Sequence, residues 1–431
     1  MTRNQILGTL ALTLALGVVA SCGEDDPDVL EPGSGGDLFR SYVALGNSLT
    51  AGWQSGGIND STQRESYAYL LAQQAGARFI IPALPRPGCP PPLAEYLNPA
   101  EVVGAPAATP RTCTFRSTAV QTGPINDVAV PLAFAWDISR TPPTPTGENN
   151  PLQTFILGGK TQIGRARDAE PTFVSLWIGN NDVLAPATVG VFTTVPGASP
   201  GIIPPDTITK YIGAAVDTLA ALPTVKGGVL VGVVDVPNAP RFFAASALLT
   251  DADFKAKLDA AVDAPNANRT VFVHPNCAGS PALVSAVIVE QMKAGAYPPI
   301  ISCEPNPQFP PGFPPIPPQA QLGDLFILSA AEQQTLSAIV AAVNAFIQTK
   351  AEGANFAYYD PNPALAALRA SGAIPALPDF TSPTAPFGPN FSLDGVHPRR
   401  SIHVAVANAL IDIINTKYGT TIPAIPGAAP D

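Results

Sequence analysis

The sequence is poor in the residues that bind nucleic acids and metal ions. Its 431 residues carry 23 Lys and Arg against 33 Asp and Glu, which gives a formal net charge of −10. No run of Lys and Arg exceeds two residues, so the basic patch of a nucleic-acid-binding protein is missing. There are only three histidines, and no two of the five cysteines have the Cys-x-x-Cys spacing of a zinc site. The sequence therefore disfavours nucleic-acid and metal binding.

The N-terminus predicts export and lipid attachment. Arg3 precedes an apolar stretch over residues 6–19, which is too short for an ordinary transmembrane helix and typical of a signal peptide. Residues 19–22, Val-Ala-Ser-Cys, resemble the lipobox of bacterial lipoproteins. This resemblance implies a signal peptide over 1–21, a diacylated Cys22 whose two chains hold the protein at the outer membrane or cell surface, and a flexible tether over 22–39. The alternative is an ordinary signal peptide that ends by chance at a cysteine.

Four cysteines remain besides the predicted lipid-attachment residue: Cys89, Cys113, Cys277 and Cys303. An even number in an exported protein predicts two disulfides, for which three pairings are possible. We favour Cys89–Cys113 and Cys277–Cys303, because each pair lies within one proline-rich insertion. A metal site is the alternative, but His274 is the only imidazole nearby.

Short apolar runs alternate with alanine-rich helical patterns along most of the chain. Five runs predict buried parallel strands: residues 42–45, 78–81, 173–178, 228–234 and 356–359. The alternation predicts an α/β fold with three α/β/α layers and a mostly parallel five-stranded sheet. We expect one domain over residues 40–420, with irregular insertions near 83–150 and 265–320 and a tail over 421–431.

Two helices are strongly indicated. Ser329 and Glu332 have the spacing of a capping box ahead of an apolar stripe. The last helix carries apolar residues on one face, among them Ile402 and Val406, and is predicted to end at Gly419.

Three polar residues have the pattern of a nucleophile and its partners. Ser48 follows Gly46 and Asn47 at the end of the first predicted strand, and Asp394 lies three residues before His397. A serine needs a base to remove its proton, and the base needs an acceptor that fixes its tautomer. The alternatives are structural: Ser48 as a helix N-cap, His397 as the opening of the last helix and Asp394 as a turn residue.

An asparagine follows the third predicted strand. Asn181 lies just past residues 173–178, where a side-chain N–H can point at an oxyanion. A turn residue is the alternative, and the adjacent Asn180 is a second candidate. His274 and His403 have no carboxylate at a useful spacing, so we expect both to be structural.

These motifs, taken in order, are similar to those of a known enzyme family. Residues 44–52, 176–182 and 391–398 resemble the motif blocks of the GDSL, or SGNH, serine esterases and lipases. The resemblance covers most of residues 40–420, with gaps at the two insertions. It implies the flavodoxin-like sheet of that family.

The resemblance also implies a role for each polar residue. Ser48 would be the nucleophile and a backbone oxyanion donor, His397 the general base, Asp394 its orienting carboxylate and Asn181 the side-chain oxyanion donor. Two positions depart from the family pattern. Asn47 stands where Asp is usual, and Leu132 stands where the family has a glycine whose backbone N–H donates to the oxyanion. The second backbone donor is therefore open.

The resemblance implies a lipid-anchored, exported carboxylic-ester hydrolase. It would act as a monomer on a lipid or acylated-sugar ester, without a metal or organic cofactor. One alternative is acyl transfer from the same acyl-enzyme to a sugar or lipid hydroxyl. Another is a catalytically silent surface binding lipoprotein, for which Leu132 is the only indication.

Overall fold

The computed structural model describes residues 33–106, 124–140, 150–190, 192, 201–263, 269–305, 307–309 and 323–427. The predicted signal peptide, Cys22 and Cys113 lie outside these residues. The described strands are β1 (Tyr42–Gly46), β2 (Phe173–Trp177), β3 (Gly227–Val231), β4 (Phe242–Ala244), β5 (Phe272–Val273), β6 (Leu283–Ser285), β7 (Ile300–Ile301), β8 (Ile327–Leu328) and β9 (Ala357–Tyr359).

The helices are distributed along the whole described chain. They are α1 (Ser48–Ala51), α2 (Asp60–Gln63), α3 (Tyr67–Ala75), α4 (Pro151–Leu157), α5 (Gln162–Asp168), α6 (Asn180–Val189), α7 (Pro205–Ala220), α8 (Ala247–Thr250), α9 (Ala252–Val262), α10 (Val287–Lys293), α11 (Ala330–Gly353), α12 (Asn362–Ala370) and α13 (Arg400–Tyr418). None of these helices is long and apolar enough to cross a membrane.

The central sheet has four parallel strands in the order β1-β2-β3-β9. Every residue of β1, β2 and β3 is buried, as expected for a parallel sheet covered on both faces. Tyr42 and Ala44 pack with residues of α3 and α13 on one face, and Val43 and Leu45 pack with residues of α5, α7 and α11 on the other. The predicted α/β class with a mostly parallel sheet is confirmed.

The predicted strand at residues 78–81 is wrong. The position beside β1 is occupied instead by an extended segment near residue 127: the Ala44 N–H donates to the Asn126 carbonyl at 2.8 Å, and the Val128 N–H donates to the Ala44 carbonyl at 3.0 Å. Ile80 lies one step further out, where its carbonyl accepts from the Asn126 N–H. The segment around Asn126 therefore makes the hydrogen bonds to β1 that residues 78–81 were expected to make.

The second insertion is more regular than predicted. Its described part contains β5, β6, α10 and β7, and β6 lies between β4 and β8 in an antiparallel sheet. The prediction of an irregular insertion rested on the average composition of 265–320, which is rich in proline. The prolines are concentrated after residue 304, whereas short apolar runs precede that residue. The predicted Cys277–Cys303 disulfide is confirmed. Cys89 is also disulfide-bonded, but Cys113 lies outside the described residues, so that pairing stays a prediction.

Described residues on both sides of the predicted domain pack against it. Residues 33–39, predicted as tether, pack on α3, and Phe39 is buried with its ring 4.5 Å from that of Phe173. In the predicted tail, Ile422 and Ile425 are buried against α13. A short polar or proline-containing segment can thus be held by one or two large apolar side chains.

The two strongly indicated helices are confirmed. Ser329 and Glu332 form a capping box at the start of α11, with each side chain bonded to the other residue's backbone N–H. Gly419 ends α13 in the left-handed conformation, with φ of 68°.

Candidate active site

Ser48 lies in a tight turn between β1 and α1. A side chain at Gly46 would bring its Cβ within 2.4 Å of Thr50 Oγ1, so only glycine fits there. The Gln162 side chain bonds to both backbone groups of Gly46: its Oε1 accepts from the Gly46 N–H at 2.9 Å and its Nε2 donates to the Gly46 carbonyl at 3.0 Å. Asn47 caps α1 by accepting from the Leu49 N–H. The Ser48 side chain is therefore held at the end of β1, where it is 4 % exposed.

Ser48, His397 and Asp394 form one continuous chain of hydrogen bonds. His397 Nε2 lies 2.7 Å from Ser48 Oγ, and His397 Nδ1 lies 2.9 Å from Asp394 Oδ2. A carboxylate can only accept, so Nδ1 carries the proton and the neutral ring presents Nε2 to the serine as an acceptor. The geometry thus brings together the three residues that the sequence singled out, across 349 positions of chain.

The Asp394 carboxylate is fully engaged. Its Oδ1 accepts from the backbone N–H groups of Val396 and His397 at 3.0 and 2.8 Å, and its Oδ2 also accepts from the Gly56 N–H at 3.1 Å. Burial raises the pKa of the Asp394 carboxyl, but the charge and hydrogen bonds of His397 and the charge of Arg241 outweigh burial and hold that pKa well below its usual value. Asp394 is therefore ionised at neutral pH.

Two contributors to this site could not be identified from the sequence. Arg241 donates from Nε to the Asp394 carbonyl at 2.6 Å, and its own N–H donates to the Gly395 carbonyl. The Ser55 N–H donates to Ser392 Oγ at 2.9 Å. The loop after α1 and the start of β4 therefore hold the Asp–His turn in place, although nothing in their local sequence indicates this contact.

The expected oxyanion residues lie on two segments that contact each other. Asn181 donates from Nδ2 to the Ala133 carbonyl at 2.8 Å, and Asp182 accepts from the Ala135 N–H at 3.0 Å. Burial raises the pKa of Asp182 to about 8, while the bond from Ala135 opposes that rise. These bonds hold the start of α6 beside Leu132. Because an amide nitrogen carries two hydrogens, the bond to Ala133 leaves one N–H of Asn181 for a ligand.

Leu132 has the backbone conformation of a glycine. Its φ is 67°, in the left-handed region that a side chain disfavours, and its side chain is 56 % exposed. The backbone at this position is thus one that a glycine would adopt without strain, as the resemblance of the motifs implies for residue 132. Asn180, the second candidate, accepts through Oδ1 from the Val234 N–H at 2.9 Å, and its Nδ2 has no hydrogen-bond partner among the described residues.

The other two histidines do not join this chain of hydrogen bonds. His403 Nδ1 accepts from the Tyr67 N–H, and burial, with a smaller effect from the charge of His397, lowers the pKa of His403 to about 3. His274 accepts from the Asn276 N–H at the edge of the disulfide-linked segment. Both contacts are structural ones. Asp235, just past β3, is bonded to Ser337 and Asn238 rather than to a histidine.

Within the described ranges, no group of three or more His, Cys, Asp or Glu residues is arranged to hold a metal ion. Comparison with known proteins found no matching family model, curated protein or solved structure. The geometry of this site and the sequence motifs are therefore the observations that bear on its function.

Proposed function

We propose that this protein is a serine hydrolase of carboxylic esters. The observation that carries the proposal is the continuous set of hydrogen bonds from the ionised Asp394 through His397 to Ser48. Similar hydrogen bonds between Asp, His and Ser can be purely structural. Here, however, the serine lies at the carboxyl end of a parallel strand, where sheets of this kind bind their ligands. The ordered resemblance to the GDSL/SGNH esterases supports the same function.

The geometry supports the following acylation step. Ser48 Oγ attacks the ester carbonyl carbon while His397 Nε2 takes the serine proton, and the carbonyl oxygen becomes an oxyanion. The free N–H of Asn181 and the backbone N–H of Ser48 donate to that oxyanion, with the Leu132 N–H as a third candidate. The C–O bond to the alcohol then breaks, and His397 returns the proton to the departing oxygen.

Deacylation repeats these steps with water. His397 takes a proton from the water that attacks the acyl-enzyme, the carbonyl again passes through an oxyanion, and the proton returns to Ser48 as the acid leaves. Asp394 stays ionised throughout, because its role is to hold the ring and stabilise the imidazolium. No step needs a cofactor.

We further propose that the fold is a variant of the family's three-layer arrangement. In this variant the extended segment around residues 126–130 takes the place of the fifth strand beside β1.

Hydrolysis of 4-nitrophenyl esters, from acetyl to palmitoyl, tests the proposed activity. The wild-type protein should release nitrophenol from at least one ester, and Ser48→Ala should not. Absence of hydrolysis across the series, or equal hydrolysis by Ser48→Ala, would show that the hydrogen-bond chain is structural.

We also propose that the protein is anchored through a diacylated Cys22. The support is the lipobox-like Val-Ala-Ser-Cys at residues 19–22. In a bacterial host, Cys22→Ser should move the protein from the membrane to the soluble fraction. Membrane retention equal to wild type would contradict the anchor.

A further inference from the structure

An apolar cavity lies beside the proposed active site. It has a volume of about 100 Å³ and is lined by residues of α12 and α13 and by residues that follow β2, β3 and β9 in the chain. Leu365 and Leu368 of α12 line it, as do Ile402 and Val406 of α13. We call this space the α12–α13 cavity.

The cavity is lined by chain neighbours of the two reacting residues, although neither Ser48 nor His397 lines it. Leu49, which lines it, directly follows Ser48, and Val396 and Pro398, which also line it, stand on either side of His397. An acyl group attached to Ser48 would therefore start one residue away from the cavity wall. Of two further cavities, one is lined in part by the charged residues Arg241, Glu290 and Lys293, and the other lies between α7 and α11.

The chemistry of the wall selects an uncharged alkyl group. Trp177, Asn180 and His403 contribute to the lining. Their side-chain nitrogens that have no hydrogen-bond partner within the described ranges are covered by neighbouring atoms. Nearly all of the surface that faces the cavity is therefore carbon. A space of this kind favours hydrocarbon over water, because water finds no partners there.

We propose that the α12–α13 cavity receives the acyl chain of the ester, which makes the enzyme selective for short acyl chains; this inference rests on the proposed function. An engineered apolar cavity of about 150 Å³ holds benzene, with six carbons. By proportion, 100 Å³ holds roughly four carbons beyond the carbonyl carbon, which corresponds to a pentanoyl ester.

A series of 4-nitrophenyl esters tests the chain length. Each methylene buried in an apolar site should raise kcat/KM about fourfold, so three added methylenes should raise it about 60-fold from acetyl to pentanoyl. The increase should stop there, and the decanoyl ester should gain nothing further. A continued rise to decanoyl would contradict a cavity of this size.

Paired substitutions on α12 test the location. Ala364 is exposed but lines the cavity, whereas Ala366 is exposed and does not line it. Ala364→Phe should reduce the pentanoyl-to-acetyl ratio of kcat/KM from about 60 to below about four, because the ring occupies the space of the chain. Ala366→Phe, the matched control, should leave the ratio unchanged. In the opposite direction, Leu365→Ala should move the best substrate from pentanoyl to a chain two or three carbons longer.

The outcomes separate the two proposals. If the wild-type protein hydrolyses esters but Ala364→Phe and Ala366→Phe have the same chain-length profile, and Leu365→Ala does not shift it, the cavity inference is overturned and the hydrolase proposal stands. If the wild-type protein hydrolyses none of the esters, the hydrolase proposal fails and the cavity inference fails with it.

Discussion

The substitution Asp394→Asn should abolish activity by changing the tautomer of one ring. Asp394 Oδ1 accepts from two backbone N–H groups, those of Val396 and His397, while Oδ2 accepts from His397 Nδ1 and the Gly56 N–H. In the variant, the amide oxygen should take the position with two backbone donors. The amide NH₂ then faces His397 Nδ1, which must lose its proton to accept. The proton moves to Nε2, which can no longer accept from Ser48.

The expected loss in kcat is about 10⁴-fold, or about 5 kcal/mol of activation free energy, which is the cost of the wrong tautomer in a Ser–His–Asp triad. Initial rates with 4-nitrophenyl pentanoate near neutral pH measure it, and thermal unfolding reports the fold. Asp235→Asn is the matched control, because Asp235 also follows a strand of the sheet but contacts Ser337 and Asn238. The reasoning is refuted if Asp394→Asn keeps more than a tenth of wild-type kcat, or if Asp235→Asn loses as much.

Three further predictions concern the oxyanion, pH and the disulfide. Asn181→Ala should lower kcat about 100- to 1,000-fold, and Asn180→Ala less than tenfold; the reverse order in kinetic assays would move the oxyanion role to Asn180. Burial raises the pKa of Asp127 to about 8. The folded state therefore keeps a proton that the unfolded chain loses above about pH 3.9. The free energy of unfolding of the wild-type protein should therefore fall as the pH rises from about 3.9 to about 8. Asp127→Asn should make that fall in Tm shallower, and an unchanged pH profile would contradict the buried neutral acid. Replacing Cys277 and Cys303 by Ser removes a disulfide between residues with a sequence separation of 26. Chemical denaturation should then show that the free energy of unfolding falls by about 3.5 kcal/mol, because the unfolded chain gains entropy. A fall below about 1 kcal/mol would contradict this reason.

Local sequence was sufficient to predict the parts of the site that depend on neighbours in the chain. The apolar run that ends at Gly46 predicts a buried strand with Ser48 just past its carboxyl end. The structure has this strand as β1. The Asp–His pair also forms a local turn, because the Asp394 carboxylate accepts from the N–H of His397 three residues later. Both features need only the geometry of a few successive residues.

Other parts depend on distant contacts that no local pattern encodes. Residues 78–81 and the segment around Asn126 both have apolar character, and only the packing decides which one bonds to Ala44 of β1. Arg241 lies 153 positions from Asp394, so its bond to the Asp394 carbonyl is a product of the fold. The regular elements within 269–305 were likewise hidden by an average composition that the prolines dominate.

The most direct test of the central claim is covalent labelling with a fluorophosphonate. Such a reagent phosphonylates an activated serine oxygen and releases fluoride, so it reports a nucleophile without knowledge of the natural substrate. Peptide mass spectrometry should find one phosphonate per chain, on the peptide that carries Ser48, and none in Ser48→Ala. A label on another serine, such as Ser55 in the neighbouring loop, or labelling of Ser48→Ala at the wild-type level, would contradict Ser48 as the nucleophile.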